Sequence, residues 1–324
     1  MRNQLTYADM LEPVRDQMQD VETVMYGALN GAEEPVRSVL LRSLRGGKRV
    51  RPALVMLVGR ALDLPDQPSA VLAGSIEMIH AATLIHDDVL DQAPTRRSTE
   101  ACHVTWPVNA TILAGDLLLS KAVSLAASLE RPGILRVLAE AFCTICAGEI
   151  AQMFGPNATE SYREVYYRTI EAKTASLYSA ACESAGVLAD LEQDSLGALR
   201  RYGREFGIAY QIADDVLDFL GHLAHLGKPC QSDLARGSVT LPTILYLENG
   251  GDRHLIESVL RGPLTSPGLR AAIKEINSSN AIDDALAEAH AHARKAQDAL
   301  APFPDNRYKQ ALLDLSEWAA VRSS

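Results

Sequence analysis

Lysine and arginine are outnumbered in this chain: 31 stand against 41 acidic residues, a formal net charge of −10. Coating a nucleic-acid backbone needs the opposite balance, which argues against nucleic acid as a partner. An acidic chain that handles phosphates needs a bridging cation. Cysteine is scarce, five in 324 residues and odd in number, so a disulfide scaffold is excluded. With no signal-like apolar segment after Met1, a reduced cytoplasmic protein is expected. No uninterrupted apolar run reaches the roughly 18 residues of a membrane span, which leaves only surface association with a membrane. Strand-like alternation is almost absent, and no Ser/Gly-rich linker or composition shift divides the chain. Aromatic residues are few at 5%, but 47% hydrophobic and 22% charged residues make a globular composition rather than a disordered one.

What is present is helical periodicity. Ile282, Ala285, Leu286, Ala289, Ala293, Ala296 and Leu300 fall on one helix face, with charges on the other. Pro13, Gly46-Gly47, Pro65, Pro68, Pro94, Pro107, Pro132 and Pro156 separate helix-length segments. The expected fold is all-α, a single-domain bundle of roughly ten or more helices of about 10 to 28 residues around a central cavity. Cys143 and Cys146 form a CxxC inside an apolar helical stretch, LAEAFCTICAGEI. They read as two buried small side chains rather than a redox pair.

One motif occurs twice. Ile85-His-Asp-Asp-Val-Leu-Asp91 returns as Ile212-Ala-Asp-Asp-Val-Leu-Asp218, 127 residues later. Each copy ends an apolar helical segment, where carboxylates are costly unless paired or metal-bound. Asp87 and Asp91 are spaced i, i+4, as are Asp214 and Asp218, so each pair projects from one helix face. Two such faces opposed across a cavity would suit Mg²⁺, which bridges one or two carboxylates to substrate phosphates. The DxDxDG spacing of an EF-hand is missing. Gly46-Gly47-Lys48-Arg49-Val50-Arg51-Pro52 is not a Walker A loop, but Lys48 and Arg51 can clasp a diphosphate beside the glycine amides. Arg96-Arg97 adds charge just beyond Pro94.

Taken in order, GGKRVRP, HDDVLDQAPTRRS, LAGDLLL, GEIAQ, EAKTASL and AYQIADDVLDFLGHLAHLGKPCQSDLARGSVTLP make the chain resemble the trans-isoprenyl diphosphate synthases, the polyprenyl synthetase family, from Gly46 to about Pro242. A class I terpene cyclase shares the first aspartate motif but not a second DDVLD. The resemblance implies a prenyltransferase joining isopentenyl diphosphate to an allylic diphosphate. Asp87, Asp91 and Asp214 would bind three Mg²⁺ ions, with Asp88, Asp215 and Asp218 completing the acidic shells. Arg96, Lys173, Thr174, Gln211 and Lys228 would contact the allylic substrate. Gly47, Lys48, Arg51, His80 and Arg97 would hold isopentenyl diphosphate. Dipoles from Lys173, Thr174 and Gln211 would stabilise the allylic cation. A homodimer and product release at a membrane surface are also implied.

Product length is expected to depend on residues below the first motif. Ala82 stands where farnesyl-type relatives carry an aromatic plug, Thr83 is also small, and Met78 and Ile79 form the next layer, with Ser75 deeper. The expected product is longer than C20, between C25 and C50. Four positions depart from the family pattern: Ser98, Pro107 and Gln231 replace usual glycines, and Ser238 replaces a lysine. His86 reads as a residue supporting Asp87, and His222 and His225 as solvated. Three other readings remain: a short-chain synthase, a metal-dependent phosphohydrolase built on His86-Asp87, and a non-catalytic subunit. The second lacks matching histidine partners, and the third should lack the aspartates or Lys173-Thr174.

Overall fold

Helix follows helix with little else between. The computed structural model describes residues 6–96, 99–154, 160–224, 233–262 and 267–321, so Arg97, Ser98, His225, Lys228 and Gln231 lie outside the described residues. The chain begins with α1 (Tyr7–Met10), α2 (Arg15–Gly27), α3 (Val36–Leu44), α4 (Val50–Ala61) and α5 (Asp66–Leu90). A two-stranded antiparallel ribbon, β1 (Thr95–Arg96) with β2 (Thr99–Glu100), interrupts the helices and pairs Arg96 with Thr99. Next come α6 (Cys102–Thr105), α7 (Val108–Ala127), α8 (Pro132–Phe154) and α9 (Tyr162–Ile170). A π-helical turn, Glu171–Ala175, leads into α10 (Ser176–Leu188) and α11 (Gln193–Ala224). The last five are α12 (Leu241–Glu248), α13 (Arg253–Arg261), α14 (Pro267–Ser278), α15 (Ala281–Ala299) and α16 (Arg307–Val321). At 32 residues α11 exceeds the expected length range, because no proline or C-capping glycine interrupts its apolar stripe.

Two compact units emerge. The first contains the chain up to Phe142, Leu177–Arg200 and Pro302–Leu312; the second contains Cys143–Ser176, Arg201–Ala301 and the chain from Leu313 on. Neither is contiguous, and every boundary but the one at Ala301/Pro302, between α15 and α16, falls inside a helix, so no linker could mark them in the sequence.

In the first unit α5 is the core helix, packed by α2, α4 and α7. It is buried almost all round, from Ser69 through Ile85, as an apolar helix without a polar face must be. Its C-terminus is closed by Gln92 in the left-handed region (φ 49°) and by the Ala93 N–H donating to the Asp88 carbonyl at 3.0 Å. In the second unit α12 packs on α15. The periodic alanines of α15 are buried as expected: Ala285, Ala289, Ala293 and Ala296 are fully enclosed, and their small side chains let the helix axes approach.

One expectation fails on burial. Cys143 and Cys146 are exposed on α8, not buried; an apolar face can line a surface as readily as a core. Two helices, α5 and α7, are also long and apolar enough to cross a membrane by length and composition. Of these α5 is mostly buried, whereas α7 is only one-third buried.

Candidate functional site

The first unit builds its polar site at the C-terminal end of α5 and in the loop before α4. Gly46 and Gly47 adopt positive φ (72° and 89°), as does Arg49 (52°), a left-handed run that a side-chain-bearing residue resists. The strain at Arg49 is held by ion pairs with Glu22 (2.7 Å) and buried Glu77 (2.9 Å). Burial opposes the Arg49 charge, but the two glutamates outweigh it and hold its pKa above the ordinary value. The KRVR run is therefore split by role. Arg49 is structural, and the Arg51 guanidinium lies 4.2 Å over the ring of Tyr178.

A pocket of about 490 Å³ opens beside this loop. Its polar wall is Arg42, Arg45, Gly46, Gly47, Asp88 and Arg96; Ala81, Leu84 and Ile85 form the apolar wall. Gly47 and Arg96 are among the lining residues, Lys48 and Arg51 are not, and His80 is half-buried on α5. Arg42 and Arg45 were missed. Their signal was legible: two arginines three residues apart run directly into Gly46-Gly47.

The three aspartates of the first motif divide into inner and outer. Asp88 is buried, and its Oδ1 accepts from Arg96 Nε (2.7 Å) and Nη2 (2.5 Å). Asp87 is half-buried and Asp91 exposed, one turn apart. His86 is wedged against α7: its Nε2 lies 3.1 Å from the Ile112 carbonyl oxygen and 3.4 Å from Asp116 Oδ1. A Cβ at Gly115 would fall 2.3 Å from that nitrogen, so only glycine admits the ring.

The second unit repeats the division by other means. Asp215 is 3% exposed, accepting from Tyr166 OH on Oδ2 (2.6 Å) and from Gln211 Nε2 on Oδ1 (2.8 Å). Burial pushes its pKa up to about 8, against the pull of these two hydrogen bonds and with help from the Asp233 and Asp214 charges. Asp214 is exposed and Asp218 half-buried. Asp215 spends both oxygens inside the fold, while Asp88 is held by Arg96 through Oδ1.

Lys173 and Thr174 sit in the π turn Glu171–Ala175, a wound-out backbone found mostly at functional sites. Lys173 Nζ is 2.7 Å from Glu149 Oε1. Thr174 donates its hydroxyl to Gln211 Oε1 at 2.8 Å. These residues line a pocket of about 350 Å³ with Asp215, Asp233 and Ser238. Asp233, Tyr166 and Glu149 are the residues sequence reasoning passed over. The Asp233 N–H donates to Asp218 Oδ2 at 3.1 Å, and burial, then the Asp218 charge, raises the Asp233 pKa. Tyr166 did carry a signal: it lies seven residues, about two turns, before Lys173.

Among the described residues no cluster of three or more His, Cys, Asp or Glu makes a metal cage by itself. The donor chemistry still fits Mg²⁺: Asp87 with Asp91, and Asp214 with Asp218, offer paired hard oxygens, the partial set this ion completes with water and phosphate.

A polyprenyl synthetase family model matches residues 33–276. The chain is 35% identical over 282 residues to the octaprenyl diphosphate synthase of Haemophilus influenzae, covering 86% of this chain and 85% of that one. It is 31% identical over 277 residues to heptaprenyl diphosphate synthase component 2 of Bacillus subtilis, covering 86% and 79%. Among solved structures, the Caulobacter crescentus polyprenyl synthase complexed with calcium and isoprenyl diphosphate superposes with a TM-score of 0.90 at 33% identity over 100% of both chains.

Proposed function

We propose, from the premise that this chain belongs to the polyprenyl synthetase family, that it condenses isopentenyl diphosphate with an allylic diphosphate to give a long-chain all-trans polyprenyl diphosphate between C25 and C50. The observation that carries this reading is the shared layout of the two motifs. Each turns its middle aspartate into the fold and leaves the outer pair, one turn apart, toward solvent. The long-chain assignment is supported by the octaprenyl and heptaprenyl synthases it resembles.

The chemistry follows from the groups present. Asp87 and Asp91, and in the second unit Asp214, would hold the Mg²⁺ ions, proposed as three, and Arg96 and Lys173 add protein cations. Bound Mg²⁺ supplies neutralisation of the diphosphate oxygens. Arg96 in the first unit and Lys173 in the second each carry a charge that would oppose the one developing as the allylic C–O bond breaks and the diphosphate departs with the bonding pair. Before substrate arrives Glu149 balances Lys173, so the ammonium is held in place rather than solvated. Thr174 and Gln211 turn oxygen dipoles toward the allylic cation. Gly47, Lys48, Arg51, His80 and Arg97, with Arg42 and Arg45 added from the pocket wall, hold isopentenyl diphosphate, whose double bond attacks that cation. The proton then leaves to the released diphosphate, giving the new double bond and pyrophosphate.

Purified protein with Mg²⁺, farnesyl diphosphate and labelled isopentenyl diphosphate is expected to yield products longer than C20 on chromatography, and EDTA to abolish them. No condensation with any allylic primer by folded protein overturns the reading; diphosphate hydrolysis alone favours a phosphohydrolase.

A homodimer is the proposed assembly. Leu113 of α7 is 65% exposed, and Ile150, Met153 and Phe154 of α8 are exposed beside the two cysteines, large apolar side chains of the kind a partner surface covers. Light scattering is expected to give twice the chain mass, and Leu113→Asp to lower it. A wild-type monomer that becomes active only with a second protein would place the chain with the component-type relatives instead. The proposed setting is cytoplasmic, with the long product passed to a membrane surface.

A further inference from the structure

The second unit contains an unbroken chain of side-chain hydrogen bonds that begins outside the motifs. Tyr166 OH donates to Asp215 Oδ2 (2.6 Å), Gln211 Nε2 donates to Asp215 Oδ1 (2.8 Å), and Thr174 Oγ1 donates to Gln211 Oε1 (2.8 Å). Its four members come from α9, the π turn and α11. Tyr166 is 5% exposed on α9, and its ring meets Tyr167 edge-on at 5.4 Å. The Tyr167 hydroxyl is itself tied to Glu288. The phenol therefore has one place to go.

An amide side chain can stand either way round, and the difference exchanges an acceptor for a donor. At Gln211 the choice decides whether a carbonyl dipole or an N–H faces Thr174 and the pocket they share. Gln211 Nε2 meets Asp215 Oδ1, which orients the amide, but a carboxyl group with one oxygen unoccupied can rotate. Tyr166 fills that second oxygen and stops the rotation.

We propose that Tyr166 is a positioning residue for catalysis: through Asp215 it fixes the orientation of Gln211, and through Gln211 the hydroxyl of Thr174, so that oxygen rather than N–H dipoles are presented where cationic charge develops. This rests on the prenyltransferase reading. It makes a burial-driven, non-motif tyrosine part of the machinery. Preorganised dipoles act only when aimed before the reaction begins, and a misplacement of about 1 Å can cost 10²-fold in rate.

Tyr166→Phe removes one oxygen and keeps the ring. Its expected effect is a fall in kcat of about 10- to 100-fold, with KM for both diphosphates within about twofold. The separating measurement is a double-mutant cycle with Gln211→Ala. Acting through Gln211, the Phe substitution changes kcat by less than about twofold once that amide is gone, whereas a merely structural tyrosine costs the same factor in both backgrounds. If Tyr166→Phe does not fold, Asp215→Asn takes its place in the same cycle, because its amide leaves one donor unmatched. Wild-type kcat in the folded Phe variant, or equal losses in both backgrounds, overturns the proposal while leaving the function intact. A wild-type protein that condenses nothing overturns the function instead.

Discussion

Asp87→Ala and Asp214→Ala are each expected to lower kcat/KM for condensation by about 10³-fold or more while moving the unfolding midpoint by less than about 2 °C. Asp215→Ala is expected to do something different: to lower the midpoint by several degrees as well. The reason is the inner and outer division of the two motifs. Asp214 is exposed and Asp87 half-buried, so neither removal empties an enclosed position. Their removal takes oxygens from a developing charge site, where each lost ligand is worth several kcal/mol of transition-state stabilisation. Asp215 is enclosed, and its loss leaves the Tyr166 hydroxyl and the Gln211 amide without their acceptor, at about 1–3 kcal/mol for each unsatisfied group.

Asp88 tests the symmetry. Its partner Arg96 is 38% exposed on the side chain, so water can rescue the guanidinium, and Asp88→Ala should cost less stability than Asp215→Ala. The measurements are thermal melting and steady-state kinetics with Mg²⁺ varied. If the outer variants unfold and the inner one does not, the division assigned to the two motifs is wrong.

That division shows where sequence reading stops. The repeat itself was legible because IxDDVLD recurs in register and i, i+4 spacing is a property of any helix. Which aspartate turns inward was not, because it depends on where Arg96 lands from a two-residue strand and where Tyr166 lands from a neighbouring helix. The GGKRVRP loop was legible as a loop, since only glycine takes its positive φ values cheaply. The fate of its cations was not: Arg49 goes to Glu22 and Glu77, Arg51 to the face of Tyr178, and Arg42 and Arg45 take the pocket. Periodicity found α15 residue by residue but misplaced Cys143 and Cys146, because a 3.6-residue stripe reports that a face is apolar and not what covers it. The π turn at Lys173 leaves no trace in periodicity at all, being one extra residue in a single wind.

The same limit gives Ala82 its interest. It is 1% exposed on α5, with Met78 fully buried one turn deeper. Ala82 lies five residues, about 7.5 Å of helix rise, below Asp87, and Met78 nine residues, about 13.5 Å. A tail growing from a diphosphate at Asp87 and descending beside α5 meets a methyl group at Ala82, which stops nothing. Ala82→Phe places a ring at that level. The expected product is cut to roughly three or four isoprene units, because one turn of about 5.4 Å matches one extended unit and the path closes within two turns of the motif. Condensation itself should continue, since the substitution adds no charge and replaces no residue of either aspartate motif. Ala82→Leu should give intermediate lengths and Met78→Ala longer ones, a graded series that loss of folding cannot imitate. Overpacking a closed position costs about 1–3 kcal/mol, so melting must accompany chromatography. A folded, active Ala82→Phe enzyme with unchanged product length removes the tail from this face of α5.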